Sequence, residues 1–447
     1  MIRHKIVHGK KVLLVDPGKR DGSIYGNSTS LGLHVLAEAA RGSGWESEVV
    51  NLSVPDPVAT LLSTTSTFQP LVVGFTSTSA GHKFTIELAK QVRAIAPSII
   101  ICKGGSHETY SAGLSQLNPA YPIDFSFIGE ADRSFPKLLD ALAYSREIGN
   151  IPGLCFNDQG VVKTSSVVKI PPTDFISPTP MLEESFALIG ELSMIRVQSM
   201  RGCGFGCEFC AITGKSRRVA PPVFVEYLSD SVRSTGAQSI FFEDATFTIE
   251  EHSAFSRERK WAREFCDLFK KALPKVVFGI QTRADCLNQT ICTILANAGC
   301  RSIYIGVEAL SGSILRSINK ATTGEAQIAA IKTAKATGIR ITASLICDLG
   351  YKSDFVFTLE TLSDLGVDEI FMEAEKLFPG TKLARDREID VLSFYDSNPG
   401  SNHSLNIEDH YCYLVSDSDR INQRYLAAAQ ILSGYKQISV GHWVRKE

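Results

Sequence analysis

The stretch Arg201-Gly-Cys-Gly-Phe-Gly-Cys-Glu-Phe-Cys210 sets Cys203, Cys207 and Cys210 in a C-x3-C-x2-C run. Three thiolates this close can hold three irons of a four-iron cubane and leave the fourth iron open to a bound ligand. Gly202, Gly204 and Gly206 let the backbone fold tightly around such a group, because glycine tolerates positive φ and close approach. Structural zinc needs four ligands and usually a second pair. No second C-x2-C run occurs in the chain.

The bulk of the chain is that of a globular protein with room for two or three domains. It has 447 residues, 44% hydrophobic and 21% charged. Lys and Arg number 46 against 48 Asp and Glu, a net charge of −2, which gives no sign of a general nucleic-acid binder. Eight of the eleven cysteines lie outside the triad and are scattered singly, the usage of a reduced compartment. No apolar run approaches the roughly 18 residues of a membrane span. The first residues, Met1 to His8, have no apolar core followed by a cleavage site. A cytoplasmic protein is expected.

Working outward toward the N-terminus, short apolar runs alternate with helical patterns. Strands are predicted at 11–18, 46–52, 71–76, 98–103 and 123–128, and helices at 29–41, 84–95 and 134–142. The alternation implies a doubly wound, Rossmann-like parallel sheet over 1–145, with ligands at the carboxyl ends of the strands. Those ends carry Asp16, Thr76 to Ser79, Gly104 to His107 and Gly129-Glu130. Residues 146–190 read as a connector, with a small hairpin near 151–160 and a proline-rich extended segment after it. On the other side of the cysteines, strands are predicted at 193–199, 239–244, 275–282, 301–308, 340–348 and 369–373. Helices come between them, and together they give a partial (β/α)6 barrel over 191–384. The cysteines, Glu243-Asp244, Arg283, Glu308 and Asp348 all fall after strands, where barrels keep reactive groups. Residues 385–447 read as a small helical cap, with a helix at 417–433.

The cysteine spacing resembles that of the radical S-adenosylmethionine (radical SAM) superfamily. The run Gly104-Gly105-Ser106-His107-Glu108-Thr109, with Asp124 and Gly129-Glu130-Ala131-Asp132, resembles the cobalamin-binding domain fused to many of its members. The resemblance implies a 4Fe-4S cluster on Cys203, Cys207 and Cys210. Its open iron would chelate S-adenosylmethionine, which the cluster's electron would cleave to a 5′-deoxyadenosyl radical. It also implies roles for the cofactor-binding candidates. Phe209 would pack near the adenine. Glu243 and Asp244 would take the amino group, Arg283 the carboxylate, and Glu308 a ribose hydroxyl or the amino group. Ile346 opens the segment Ile346-Cys347-Asp348-Leu349-Gly350-Tyr351, where the family often has a glycine- and proline-rich turn. One departure stands out. The D-x-H-x-x-G signature that supplies a cobalt ligand is missing, since Asp16 is followed by Pro17-Gly18; His82 and His107 are the histidines near predicted strand ends.

Two functions follow from the resemblance. The first is cobalamin-dependent methyl transfer to an unactivated carbon of a small molecule. The second is cobalamin-free dehydration, epimerisation or oxidation of a sugar or aminoglycoside-like metabolite. An electron donor such as flavodoxin or ferredoxin would serve either. A cluster-bearing sensor would have no need of the polar set at the strand ends, and nothing in the chain suggests a nucleic-acid substrate. His410, Tyr411, Tyr413 and Tyr435 are candidate substrate contacts in the tail.

Overall fold

The computed structural model describes residues 9–18, 28–79, 81–111, 113–116, 118–184, 192–212, 214–258, 261–376, 378, 380–386, 418–439 and 441–446. The chain divides into two compact units, residues 1–179 with 378–413, and residues 180–377 with 414–447.

The first unit holds β1 (Lys11–Asp16), α1 (Leu31–Gly42), β2 (Glu46–Asn51), α2 (Pro57–Phe68), β3 (Val72–Thr76), α3 (His82–Ile95), β4 (Ile100–Gly104), α4 (Ser106–Tyr110), β5 (Phe125–Phe127), α5 (Ser134–Tyr144), β6 (Leu154–Asp158) and β7 (Val161–Thr164). Its sheet runs β2-β1-β3-β4-β5-β6-β7. The first five strands are parallel, and β6 and β7 are added antiparallel. The period of two along β1 builds both layers. Val12 and Leu14 pack with Leu33 and Ala37 of α1 and Phe135 of α5. Leu13 and Val15 pack on the other face with Leu61 of α2 and Ile86 and Leu88 of α3. The expected parallel, doubly wound sheet is therefore present, with its order reversing between β1 and β3, where such sheets bind ligands.

Two features differ from the sequence expectation. Helix α2 is not among the predicted elements. Its signal is nonetheless in the sequence: Asp56 caps the helix by accepting from the Ala59 amide at 2.9 Å, and Pro57 occupies the first turn. The hairpin predicted inside the connector is real, but it extends the first sheet, Cys155 pairing with Ser126 of β5.

The second unit holds β8 (Glu183–Glu184), β9 (Ser193–Val197), β10 (Met200–Arg201), β11 (Arg217–Arg218), α6 (Pro221–Thr235), β12 (Ser239–Phe242), α7 (Trp261–Ala272), β13 (Val277–Arg283), α8 (Gln289–Ala298), β14 (Cys300–Glu308), α9 (Gly312–Ser317), α10 (Gly324–Ala336), β15 (Arg340–Ile346), α11 (Lys352–Asp364) and β16 (Glu369–Glu373). Helix α12 (Lys382–Asp386) groups with the first unit rather than closing the barrel as the boundary at 384 implied. Helix α13 (Ser418–Ile431), β17 (Tyr435–Ser439) and β18 (His442–Arg445) belong to the second. The sheet order is β17-β18-β16-β15-β14-β13-β12-β9-β8. The six strands from β9 to β16 are parallel, as a partial (β/α)6 barrel requires. The tail is more than a helical cap: after α13 it returns as a hairpin, with Trp443 of β18 antiparallel to Ile370 of β16.

A run of aromatic rings fixes α7 on the barrel. Phe242 meets Phe265 and Phe278 edge-on at 5.3 and 5.7 Å, and Trp261 stacks on Phe265 at 5.2 Å. All three phenylalanines are fully buried, each burial contributing about 1.5–3 kcal/mol. Among the described residues, no helix is long and apolar enough to cross a membrane.

Candidate active site

Strand β9 and the short β10 deliver the cysteine loop to the carboxyl end of the barrel sheet. Gly202, at φ 76°, needs its missing side chain: a Cβ there would lie 2.5 Å from the Lys215 carbonyl oxygen. Gly202→Ala is therefore expected to cost about 1–3 kcal/mol, with less iron retained on reconstitution; iron per chain and urea unfolding measure the two effects. The far side of the loop is pinned by Glu208 N–H donating to the Ile318 carbonyl at 3.0 Å and by Asn319 Nδ2 donating to Gly206 at 2.8 Å.

Each cysteine sulfur has its own polar neighbour. The Thr246 hydroxyl lies 3.4 Å from Cys203 Sγ. Arg283 donates from Nη1 to Cys207 Sγ at 3.2 Å, and the Ile212 amide donates to Cys210 Sγ at 3.4 Å. N–H donors to sulfur, as at Cys207 and Cys210, are what an iron–sulfur site uses to stabilise its thiolates. Burial pushes the Cys210 thiol up to about 11; it also raises Cys207, opposed by the Lys320 and Arg283 cations. Metal binding here would displace protons from the thiols. Among the described residues, the three donors that converge within 4.8 Å of one another are His82, His107 and Glu108. The three cysteines of one short loop, with polar groups at their sulfurs, are the ligand chemistry of an iron–sulfur site, whereas structural zinc would need a fourth protein ligand. The residues fit a cluster.

The structure gathers Phe209 and Ile346 into one apolar wall. Both pack on Ala309, Ile314, Ile318 and Leu349, beside the third cysteine. Glu308 ends β14 at φ 63°, a left-handed conformation, at a register shift between Gly306 and Glu308. Holding a non-glycine residue there costs of order 1–3 kcal/mol, and such strain gathers at functional sites. Its carboxylate accepts from Lys320 Nζ at 2.8 Å, and Lys320 also donates to the Gly306 carbonyl at 2.8 Å.

The other charged candidates are placed differently from expectation. Glu243 is bound to Arg196, whose guanidinium also forks onto Glu183 at 2.7 and 2.8 Å. Asp244 is fully buried beneath the loop. It accepts from the Ser199 and Met200 amides at 2.7 and 2.9 Å, from the Ser199 hydroxyl, and from Arg218 at 3.3 Å. That leaves no open side toward a ligand's amino group. Arg283 forks onto Asp285 at 2.9 and 2.6 Å, donates to the Lys320 carbonyl, and lies 3.9 Å over the Phe205 ring. Its fork is therefore filled by Asp285 and does not wait for a ligand carboxylate. Tyr435 is buried and donates to the Val367 carbonyl at 2.7 Å, which is packing. His410, Tyr411 and Tyr413 lie outside the described residues. Phe205, Thr246, Asp285 and Lys320 are site neighbours that the sequence reading missed. Only Phe205, inside the loop itself, carried a local signal.

In the first unit, Asp16 accepts from the Gly18 amide at 3.0 Å and the Ser30 amide at 2.6 Å, so it anchors the loop after β1. The two histidine candidates are buried and stacked on each other at 4.1 Å. His82 Nδ1 meets Lys103 Nζ at 2.6 Å, and His107 Nδ1 meets Ser79 Oγ at 3.2 Å. Lys103 also donates to Glu108, so an ammonium already stands where these donors converge. Neither histidine is set up as a cobalt ligand. Burial, then the Lys103 charge, holds His107 down at about 3 and His82 lower still. A histidine neutral when folded and charged when unfolded loses stability as pH falls from about 6.5 toward its folded value. His107→Gln should flatten the pH dependence between pH 6 and 3.5 by about 1.4 kcal/mol per unit, read from urea unfolding across that range.

The family described as the Radical SAM superfamily matches residues 197–362, and the B12 binding domain matches residues 21–139. The chain therefore carries a radical SAM domain over residues 197–362 and a B12-binding domain over residues 21–139 ahead of it. An uncharacterized methyltransferase of Pyrococcus horikoshii is 27% identical over 332 residues, covering 71% of this chain and 69% of that protein. The hopanoid C-3 methylase of Methylococcus capsulatus is 25% identical over 336 residues, covering 71% of this chain and 61% of that protein. The radical S-adenosylmethionine methyltransferase TsrM from Kitasatospora setae, solved with cobalamin and a [4Fe-4S] cluster, shares the fold at a TM-score of 0.69 and 15% identity. The match covers 95% of this chain and 89% of that one. The cofactors that go with these two domains are a 4Fe-4S cluster, S-adenosylmethionine and cobalamin. For cobalamin the fit lies in the sheet and its switch point, and no histidine ligand is supplied from the Asp16-Pro17-Gly18 loop.

Proposed function

We propose that this radical SAM enzyme transfers a methyl group to an unactivated carbon of a small molecule in a biosynthetic pathway. The observation that carries the proposal is the pairing, in one chain, of a B12-binding domain with the three-cysteine loop on a six-stranded parallel barrel sheet. The similarity to two relatives, a methyltransferase and a methylase, supports it. When bound, the cluster supplies the electron that cleaves S-adenosylmethionine, and cobalamin supplies a methyl carrier.

The chain's own residues hold and shield. The Phe209–Ile346 wall keeps water from the third cysteine and offers an apolar surface to the adenine. Glu308, held against Lys320, offers a carboxylate oxygen to a ribose hydroxyl or the amino group. Glu243 serves the amino group only by exchanging part of its contact with Arg196. A flavodoxin- or ferredoxin-type protein delivers the electron.

The test is purification without oxygen from cells given hydroxocobalamin, followed by cluster reconstitution and metal and product assays. About four irons and one cobalt per chain are expected. S-adenosylhomocysteine and 5′-deoxyadenosine should form together with a methylated product. Four irons without cobalt would overturn methyl transfer in favour of cobalamin-free dehydration, epimerisation or oxidation.

A further inference from the structure

We infer that Arg283 is a positioning residue that raises the reduction potential of the cluster held by Cys203, Cys207 and Cys210, acting through the Cys207 sulfur. The inference rests on the radical SAM assignment and goes beyond it, because it removes Arg283 from the expected ligand contacts and gives it a different task.

The three sulfurs are not equivalent. Cys203 meets a hydroxyl and Cys210 a backbone amide, both neutral. Cys207 receives an N–H from a guanidinium at 3.2 Å. That guanidinium is fixed on every side. Asp285 takes Nε and Nη2, the Lys320 carbonyl takes Nη2 again, and the Phe205 ring covers one face at 3.9 Å. Nη1 is left aimed at the sulfur. Arg283 is only 6% exposed, so solvent does little to screen its charge at this distance. A cluster gains negative charge when it accepts an electron. Donors and positive charge at its sulfurs stabilise that reduced form and raise the potential. Asp285 offsets part of the charge without touching the hydrogen bond to sulfur. Its larger effect is to hold the fork in place, as hydrogen-bonded outer partners do at metal sites. The other nearby cation, Lys320, is paired with Glu308 at 2.8 Å.

The reconstituted protein, without S-adenosylmethionine, is titrated with dithionite or titanium(III) as the electron source, and the reduced cluster is followed by electron paramagnetic resonance. Arg283→Gln should shift the one-electron equilibrium toward the oxidised cluster by tenfold or more, a fall of about 59 mV or greater. Arg283→Lys, which keeps the charge but loses the fork, should recover part of the shift. S-adenosylmethionine affinity, measured by calorimetry, should change by less than threefold in both. A four-iron Arg283→Gln protein with wild-type potential overturns the inference. So does a variant whose only defect is a large loss of S-adenosylmethionine affinity, which would return Arg283 to the ligand's carboxylate. Should Arg283→Gln fail to hold iron, Asp285→Asn decides: with the counter-charge gone the potential should rise, and an unchanged or lower value overturns the inference. Failure of the wild-type protein to assemble four irons would instead sink the radical SAM reading itself.

Discussion

Replacing Cys207 by alanine is expected to lower S-adenosylmethionine cleavage by at least about 10³-fold, a loss of roughly 4 kcal/mol of transition-state stabilisation. A cluster held by Cys203, Cys207 and Cys210 would have three protein ligands on one short loop, and losing one would leave two irons without a protein thiolate. Cys207 is the middle cysteine of the three, and its sulfur is the one that Arg283 contacts at 3.2 Å. The alanine would therefore also leave a buried guanidinium N–H without its acceptor, costing about 1–3 kcal/mol. Iron and acid-labile sulfide should fall well below four per chain, and 5′-deoxyadenosine should drop to background. Cys300→Ala is the control. That thiol is buried in β14 and directed at the Ser302 carbonyl at 3.5 Å, in the barrel core rather than the loop. It should leave iron content unchanged. A Cys207→Ala protein that still holds four irons and cleaves S-adenosylmethionine would remove the ligand assignment.

The second large effect is structural. Asp244→Ala should destabilise the protein by about 3–5 kcal/mol, because it removes one partner of a buried ion pair. Arg218 would keep Glu250 at 2.6 Å and the Phe247 carbonyl at 2.7 Å, but lose its second carboxylate. The Ser199 and Met200 amides, which start the cysteine loop, would lose their common acceptor. Urea unfolding of the cluster-free protein reads this without S-adenosylmethionine present. A loss seen there assigns Asp244 to holding the loop. Unchanged stability with weakened S-adenosylmethionine binding would instead return it to the ligand's amino group.

Much of the architecture was legible because its causes are local. The alternation of Val12 and Leu14 with Leu13 and Val15 already encodes two covered sheet faces. The repeated strand-then-helix pattern from 193 to 373 fixes six parallel strands, since a crossover helix leaves no antiparallel choice. The terminal hairpin was less legible. Tyr435 to Ser439 and His442 to Arg445 are short, and they become strands only by pairing, β18 on β16 and β17 on β18 as the sheet's edge. Edge strands need no apolar pattern on both faces, so periodicity does not announce them.

The sequence by itself determined the grouping of Cys203, Cys207 and Cys210, the order of the two domains and the layering of the first sheet, because spacing along a chain controls thiolate grouping and side-chain periodicity. Only the tertiary structure decided which charges meet. Arg196 reaches Glu243 across 47 residues and Asp244 reaches Ser199 across 45. Lys103 settles between His82 and Glu108, and Arg283 closes on Asp285 with an Nη1 N–H on Cys207. An ion pair depends on distance and burial in space. Both are set by packing, and neither can be read from the order of residues.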